Sequence, residues 1–389
     1  MTQKAGQLSG AQLSRLQSRG LHWLSSDALG LARNGGAGPT DHKALCFDGD
    51  TAMIPIAKQQ ASGQHNHSPY SARLDQHSGE VMIFDQGSLI AKATAPNHPR
   101  FYSLSTAEGV PYSKIATLHS KDVLATTVMQ SCVRYRNRDT SCQFCAIEES
   151  LTAGKTIAHK SPAQLAEVAK AAVELDGVSQ MIMTTGTPQS NDRGAAVLVA
   201  SVTAVKAAVD IPIQVQCEPP ADDIWLHRLK AAGADALGMH LEAVSDRVRK
   251  AIMPGKASVP LSRYMTAFKT AVSLFGAGNV STYILAGLGD TEDEIIAMGL
   301  QLIAMGVYPF VVPFVPVTGT PLENHPTPDG DMLDRIFSVL GPALAASDMT
   351  STTLKAGCAK CGACSSLKRY EQSPAPTNTV NHAEESAHA

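Results

Sequence analysis

No stretch of about twenty apolar residues occurs anywhere in this chain, and a helix crossing a bilayer needs about that many, so a membrane-spanning helix is excluded. The N-terminus, Met1-Thr-Gln-Lys-Ala-Gly-Gln7, lacks the apolar run that opens a secretory signal. Charge of one sign is also missing. The 32 Lys and Arg stand against 35 Asp and Glu, a formal net charge of -3, which leaves no electrostatic footprint for nucleic acid or an anionic membrane. No internal repeat is present, which sets aside repeat architectures. The 389 residues, 44% hydrophobic and 17% charged, therefore read as a globular chain expected in the cytoplasm, long enough for one large domain or two smaller ones.

Cysteine is not scarce. Six of the eight cysteines fall in two tight groups, and in a reducing compartment such grouping argues for metal binding over disulfides. The first group is Cys132, Cys142 and Cys145, spaced C-x9-C-x2-C, with Phe144 just before the last cysteine. Three thiolates can hold three irons of a [4Fe-4S] cluster and leave the fourth iron open. A zinc knuckle or simply buried thiols are the alternatives, and zinc would want a fourth ligand that the loop does not contain. The second group, Cys358, Cys361 and Cys364, has the C-x2-C-x2-C spacing that begins a ferredoxin-type run without its fourth cysteine. It is expected to hold an auxiliary iron-sulfur cluster, with an open iron or a remote ligand such as Cys46. Zinc completed by Cys46 or a histidine is the competing reading.

From about Asp122 to Ser347 strand-like and helix-like segments alternate. Strands are expected at Asp122–Gln130, Gln180–Thr185, Ile211–Cys217, Ala236–Glu242, Val280–Ala286 and Tyr308–Val315, with helices such as Ser161–Leu175, Asp223–Ala232 and Glu292–Met305 between them. Alternation of this kind implies parallel strands with crossover helices. The segment before Ser120 differs. A helix at Ala11–Arg19 and short strands broken by Phe47-Asp-Gly-Asp and Phe84-Asp-Gln-Gly read as a small α+β accessory domain with hairpin turns. His65 and His67 lie in its polar loop, Gln59–Ser68, and read as solvated. Beyond Cys364 the chain turns polar, and Glu371–Ala389 is expected to be a disordered tail.

Polar residues recur at the strand ends. In Gln214-Val-Gln216-Cys-Glu218 the period of two places Gln214, Gln216 and Glu218 on one face, and Val215 and Cys217 on the other. Buried polar side chains need partners, and a polar ligand would supply them; Cys217 reads as packing. In Gly238-Met-His240-Leu-Glu242, His240 and Glu242 share a face, as a buried pair or as ligand contacts. Gly287-Leu-Gly289-Asp290 leads from a strand into a helix that Asp290 or Thr291 would cap. Arg134, Arg136, Arg138 and Lys256 are candidates for an anion.

Taken together, Cys142-Gln-Phe144-Cys145, the turn Thr184-Thr185-Gly186-Thr187-Pro188, Glu218, the Gly287-x-Gly289 segment and Gly319-Thr-Pro321-Leu resemble the ordered motifs of the radical S-adenosylmethionine (SAM) enzymes over about two hundred residues. Two departures stand out: nine residues separate Cys132 from Cys142 where the family usually has three, and Thr185 and Thr187 replace a glycine and an acid of its Gly-Gly-Glu-Pro motif. The resemblance implies a partial (β/α)6 TIM-like barrel over 120–350, with an accessory domain at 1–119, a Cys-rich extension at 351–370 and a tail at 371–389. It implies a [4Fe-4S] cluster on Cys132, Cys142 and Cys145, and SAM held by Phe144, Thr184, Thr185, Gly186, Thr187, Gln216, Glu218, His240, Glu242, Gly287 and Gly289, with Glu218 on the ribose. Reductive cleavage of SAM to a 5'-deoxyadenosyl radical would then remove hydrogen from a small-molecule substrate, with flavodoxin or ferredoxin as reductant. More narrowly, the long first loop with the trailing cysteine group resembles a radical family encoded beside nitrilases in bacteria. A non-catalytic iron-sulfur or zinc protein, either redox sensor or electron carrier, is the alternative, and within enzymes biotin-synthase-like sulfur insertion.

Overall fold

The computed structural model describes residues 8–24, 42–56 and 68–371. Its strands, in chain order, are β1 (His22–Trp23), β2 (His42–Phe47), β3 (Asp50–Pro55), β4 (Tyr70–Leu74), β5 (Val81–Asp85), β6 (Ser88–Ala93), β7 (Thr117–His119), β8 (Val123–Thr127), β9 (Gln180–Thr184), β10 (Ile213–Gln216), β11 (Ala236–Gly238), β12 (Val280–Ala286) and β13 (Val307–Pro313). The last seven form one curled sheet in the order β13-β12-β11-β10-β9-β8-β7. All its pairings are parallel except β7 with β8. This half-barrel contains the six expected strands plus β7.

Helices at Pro162–Asp176, Ala195–Ala208, Ile224–Ala231, Leu261–Phe275, Glu292–Ala304 and Gly330–Ala346 cover the outside. Leu165, Leu198, Leu226, Phe268, Leu302 and Phe337 form one apolar core with Met181, Met183, Val215 and Leu237 of the sheet. The Pro162–Asp176 helix begins where the sequence dictates. Ser161 and Gln164 form a capping box with proline in the first turn, and Gly177 ends it in the left-handed conformation. Thr291, not Asp290, caps the Glu292–Ala304 helix.

The N-terminal part packs its own core of Leu13, Leu16, Leu21, Leu45, Ile54 and Val81. The β2-β3 and β5-β6 hairpins turn on Asp48-Gly49 and Gln86-Gly87, each pair with positive φ, as two-residue hairpin turns require. The segment Gln59–Ser68, with His65 and His67, lies outside the described residues except for Ser68.

Packing runs across three of the expected boundaries. Phe101, Tyr112, Ile115 and Ala116 belong to the barrel core, and β7 pairs with β8, so the stretch from Phe101 to His119 packs with the barrel. Residues 351–370, the expected Cys-rich extension, pack on the barrel, with Leu354, Ala359, Leu367 and Tyr370 buried in the same core. Glu371 does not begin a tail: it accepts hydrogen bonds from Tyr308 Oη at 2.5 Å and from Ser351 at 2.8 Å, and the rest of the expected tail, 372–389, is outside the described residues. No helix among the described residues is long and apolar enough to cross a membrane.

Candidate active site

The inner face of the half-barrel mixes polar side chains with apolar ones, where the outer face is apolar. Alternation along β10 sends Ile213, Val215 and Cys217 into the helix-side core and Gln214, Gln216 and Glu218 inward. Gln216 Nε2 donates to Gln214 Oε1 at 2.8 Å, and Gln214 Nε2 donates to Ser281 Oγ at 3.1 Å. Inside lies a cavity of about 210 Å3, with Thr127, Thr184, Gln216, His240, Tyr283 and Val312 contributed by or just beyond six successive strands.

The loop with the first cysteine group follows β8, at the C-terminal ends of the parallel strands, and Phe144 brings it to the cavity. Hydrogen bonds of Gln143 hold this loop in place: its N donates to Ile252 O at 2.9 Å, its side-chain Nε2 to Ala251 O at 2.8 Å, and Leu322 N donates to its O at 3.3 Å. Burial pushes the Cys142 thiol well up and Cys145 up to about 12, with neighbouring negative groups, Glu242 among them, adding to it. Both are therefore neutral thiols at pH 7, and metal binding would release their protons. Cys142 also packs on the small apolar cluster of Met253, Leu288 and Phe314.

Glu218 is the centre of the polar arrangement. Its Oε1 accepts from Arg134 and, at 2.8 Å, from Thr187 Oγ1. Its Oε2 is buried with no hydrogen-bond partner, and buried acceptors in folded proteins are nearly always satisfied. Thr187 thus works on the carboxylate, while Thr185 Oγ1 bonds Gly186 O at 2.9 Å. Gly186 itself sits against the cysteine loop: a Cβ there would lie 1.9 Å from Ser131 O.

Glu242, at a left-handed φ of 63°, pairs with Lys256 Nζ at 2.7 Å. Burial pulls Lys256 down, but Glu242 and other negative neighbours outweigh it and leave its pKa raised. Lys256 is thus already bound to a carboxylate, and His240 is not its partner. The His240 Nδ1 accepts from Tyr283 N at 3.2 Å, which places the proton on Nε2. Burial, helped by the charge of Lys256, lowers its pKa to about 3. The His240 ring is therefore expected to stay neutral from pH 8 to pH 5. Flat side-chain nitrogen shifts over that range in an NMR titration are the expected result, and a midpoint near 6.5 would contradict it.

Lys160 was not signalled by the sequence. It follows the cysteine loop, lines the cavity and is 1% exposed. Its Nζ donates to Thr127 O, Gln130 Oε1 and Ile157 O, none of them an anion. Burial lowers its pKa from 10.5 to about 7. Between those two pH values only the unfolded chain holds the proton, so folding stability relative to Lys160→Met rises with pH there, by at most a few kcal/mol. Chemical denaturation of both proteins at pH 6.5 and pH 9.5 measures it; an unchanged or shrinking difference would refute it.

The remaining expected residues lie elsewhere. Gly287 and Gly289 are absent from the cavity lining. Their φ values of 104° and 119° are left-handed, and a Cβ on Gly287 would meet the Pro328 ring at 2.9 Å, so conformation and packing account for these glycines. Arg136 pairs with Glu148 on the surface. Cys358 and Cys364 line the cavity, while Cys46 is not among its lining residues. Among the described residues, no group of three or more His, Cys, Asp or Glu is set to hold one metal ion.

Residues 133–300 match the family model for the radical SAM superfamily. Over 286 residues the chain is 25% identical to the bacteriochlorophyllide c C-7(1)-hydroxylase of Chlorobaculum limnaeum, covering 68% of this chain and 70% of that protein. Solved structures similar to it include methylornithine synthase, at 19% identity and TM-score 0.44, covering 62% of this chain and 70% of the other. A radical SAM methyltransferase from Sphaerobacter thermophilus shows 13% identity and TM-score 0.46, covering 71% and 75%. The family whose model matches is one that carries a [4Fe-4S] cluster and SAM. The donor chemistry fits, with three thiols on one loop, an unsatisfied buried carboxylate oxygen and a cavity that Phe144 of the same loop lines. Residues 133–300 thus match a radical SAM domain, and the half-barrel that they build is of the kind that such a domain needs.

Proposed function

We propose that Cys132, Cys142 and Cys145 hold the [4Fe-4S] cluster and that the enzyme abstracts hydrogen from a small-molecule substrate seated in the half-barrel cavity. The observation that carries this reading is the placement of the cysteine loop at the strand ends, with Phe144 entering a cavity lined by polar side chains such as Gln216 and His240 among apolar ones such as Ile182 and Leu285. When bound, the cluster and SAM supply one-electron chemistry that removes hydrogen from an unactivated carbon.

The protein's part is binding, orientation and exclusion of water. Glu218, held by Arg134 and Thr187, would offer its unpartnered oxygen to the hydroxyls of the SAM ribose. The turn Thr184, Thr185 and Gly186 offers main-chain carbonyls. The neutral His240 presents an N–H, and Glu242 with Lys256 forms a closed ion pair near Cys142. A cavity of about 210 Å3 lies below the roughly 300–1,000 Å3 of pockets for drug-sized ligands, which favours a compact substrate over a chlorin macrocycle. Flavodoxin or ferredoxin serves as reductant. Cys358, Cys361 and Cys364 hold an auxiliary iron-sulfur cluster at the other end of the cavity.

Electron paramagnetic resonance of the anaerobically reconstituted, dithionite-reduced protein, with and without SAM, tests the reading. A reduced-cluster signal that shifts on adding SAM is expected. A signal indifferent to SAM would overturn the mechanism in favour of an electron carrier or sensor.

A further inference from the structure

The second cysteine group closes the half-barrel at the end opposite the first. Gly357 N donates to Gln180 Oε1 at 2.8 Å and Cys358 N to Gln214 Oε1 at 3.2 Å, and Gln180 and Gln214 stand at the starts of β9 and β10. Ser365 Oγ donates to Val311 O at 2.6 Å, and Ala363 O accepts from Met53 N and Gln17 Nε2 at 2.7 and 2.9 Å. The segment is thus tied to the barrel and to the accessory unit. Its three cysteines are held in place without any disulfide.

The strand that the sequence did not disclose, β7, brings its last residue to this group. His119 pairs with Val123 at the start of β8, is buried, and lines the same cavity as Cys358 and Cys364. Its Nε2 lies 3.7 Å from Cys364 Sγ. The next residue, Ser120, has a left-handed φ of 60°, uncommon outside glycine, and its side chain bonds Cys361. One turn of chain therefore contacts two of the three cysteines, while the third, Cys358, has its sulfur 3.2 Å from Gln216 Nε2. Cys46 is differently placed. Its main chain bridges to Thr94 on the accessory side and it does not line the cavity.

We propose that His119 Nε2 is the fourth protein ligand of the metal site on Cys358, Cys361 and Cys364, an inference that rests on the auxiliary-cluster reading above. The turn at Ser120 and the antiparallel pairing of β7 then exist to deliver one imidazole to the floor of the barrel. With four protein ligands no iron is open to a substrate, and the cluster is left with passing electrons or giving up sulfide. An imidazole in place of a thiolate raises the cluster's reduction potential, as in centres where histidine replaces cysteine, and the Gln216 amide on Cys358 sulfur acts in the same direction.

The test uses the full chain with Cys132, Cys142 and Cys145 all changed to Ala, leaving the second site alone, grown with 15N-histidine and reconstituted anaerobically with iron and sulfide. About four irons per chain and a strongly coupled histidine nitrogen in pulsed electron paramagnetic resonance of the reduced protein are expected. The coupling should persist in His42→Gln, whose imidazole also borders the cavity. It should vanish in His119→Cys with the cluster retained at a lower potential. A cluster with no histidine coupling, or one whose coupling survives His119→Cys, overturns the assignment and leaves the auxiliary cluster standing. Zinc in place of iron, or no metal at all, overturns the auxiliary cluster itself. The coupling in the parent protein decides the question even where His119→Cys fails to fold.

Discussion

Cys142→Ala is expected to lose the SAM-responsive cluster signal and all cleavage of SAM, while its far-ultraviolet circular dichroism stays that of the parent. The loop around it does not depend on the thiol for its shape. Gln143 is fastened to Ile252 and Leu322 through its main chain and to Ala251 through its side-chain amide, and these bonds remain. Removing the sulfur leaves a small void against Met253, Leu288 and Phe314, a change that costs about 1 kcal/mol of folding stability. The chemistry, in contrast, loses one of three ligands from a loop that contains no other cysteine. Iron and sulfide analysis together with detection of 5'-deoxyadenosine measure the effect. Retained cleavage in a folded Cys142→Ala protein would show that the cluster lies elsewhere.

Gly186→Ala is the second large effect, and it acts through space alone. The Gly186 Cβ would lie 1.9 Å from Ser131 O and 2.7 Å from Ser131 C, both main-chain atoms that cannot rotate away, and 3.0 Å from the Ile147 side chain. Gly186 N also donates to Met129 O at 2.9 Å, which pins the two segments together. The added methyl must push the start of the cysteine loop, one residue before Cys132, away from the strand end. Overpacking of this kind costs about 3 kcal/mol or more when the neighbour is backbone. Gly186→Ala is therefore expected to melt several degrees lower and to take up less iron. Gly177→Ala supplies the control: Gly177 has a left-handed φ of 64° with nothing within 4 Å of its Cβ position, so only a conformational cost of about 1 kcal/mol applies, and its iron content should equal that of the parent. Equal melting and iron content in Gly186→Ala would mean that this turn and the cysteine loop do not touch.

These two residues differ in how well the sequence disclosed them. Cys142 was plain, because thiol spacing within a loop is a local property. Gly186 was visible as part of a turn motif, but its partner, Ser131, is fifty-five residues away and known only from packing. The same division runs through the site. The period of two gave the inward face of Gln214, Gln216 and Glu218, since a strand between helices and a cavity must sort its side chains. It could not say that Glu218 bonds Arg134 and Thr187, or that Glu242 takes Lys256 and leaves His240 to the main chain of Tyr283. His240 and Glu242 share a strand end, but the left-handed turn at Glu242 redirects its side chain.

By itself the sequence determined the six parallel strands, the capped helices, the hairpins at Asp48-Gly49 and Gln86-Gly87 and the existence of two thiol groups. Each of these follows from residues within a few positions of one another. Only the tertiary structure decided that Phe144 of the first cysteine loop lines one cavity with Cys358 and Cys364 of the second group, that the three-residue strand ending in His119 joins the barrel, and that residues 101–116 and 351–371 belong to the barrel's packing. A three-residue edge strand carries too little periodicity to be recognised, and contacts such as Gly357 with Gln180 join positions far apart in sequence, where pairing is settled by the burial of the whole core and not by any local pattern.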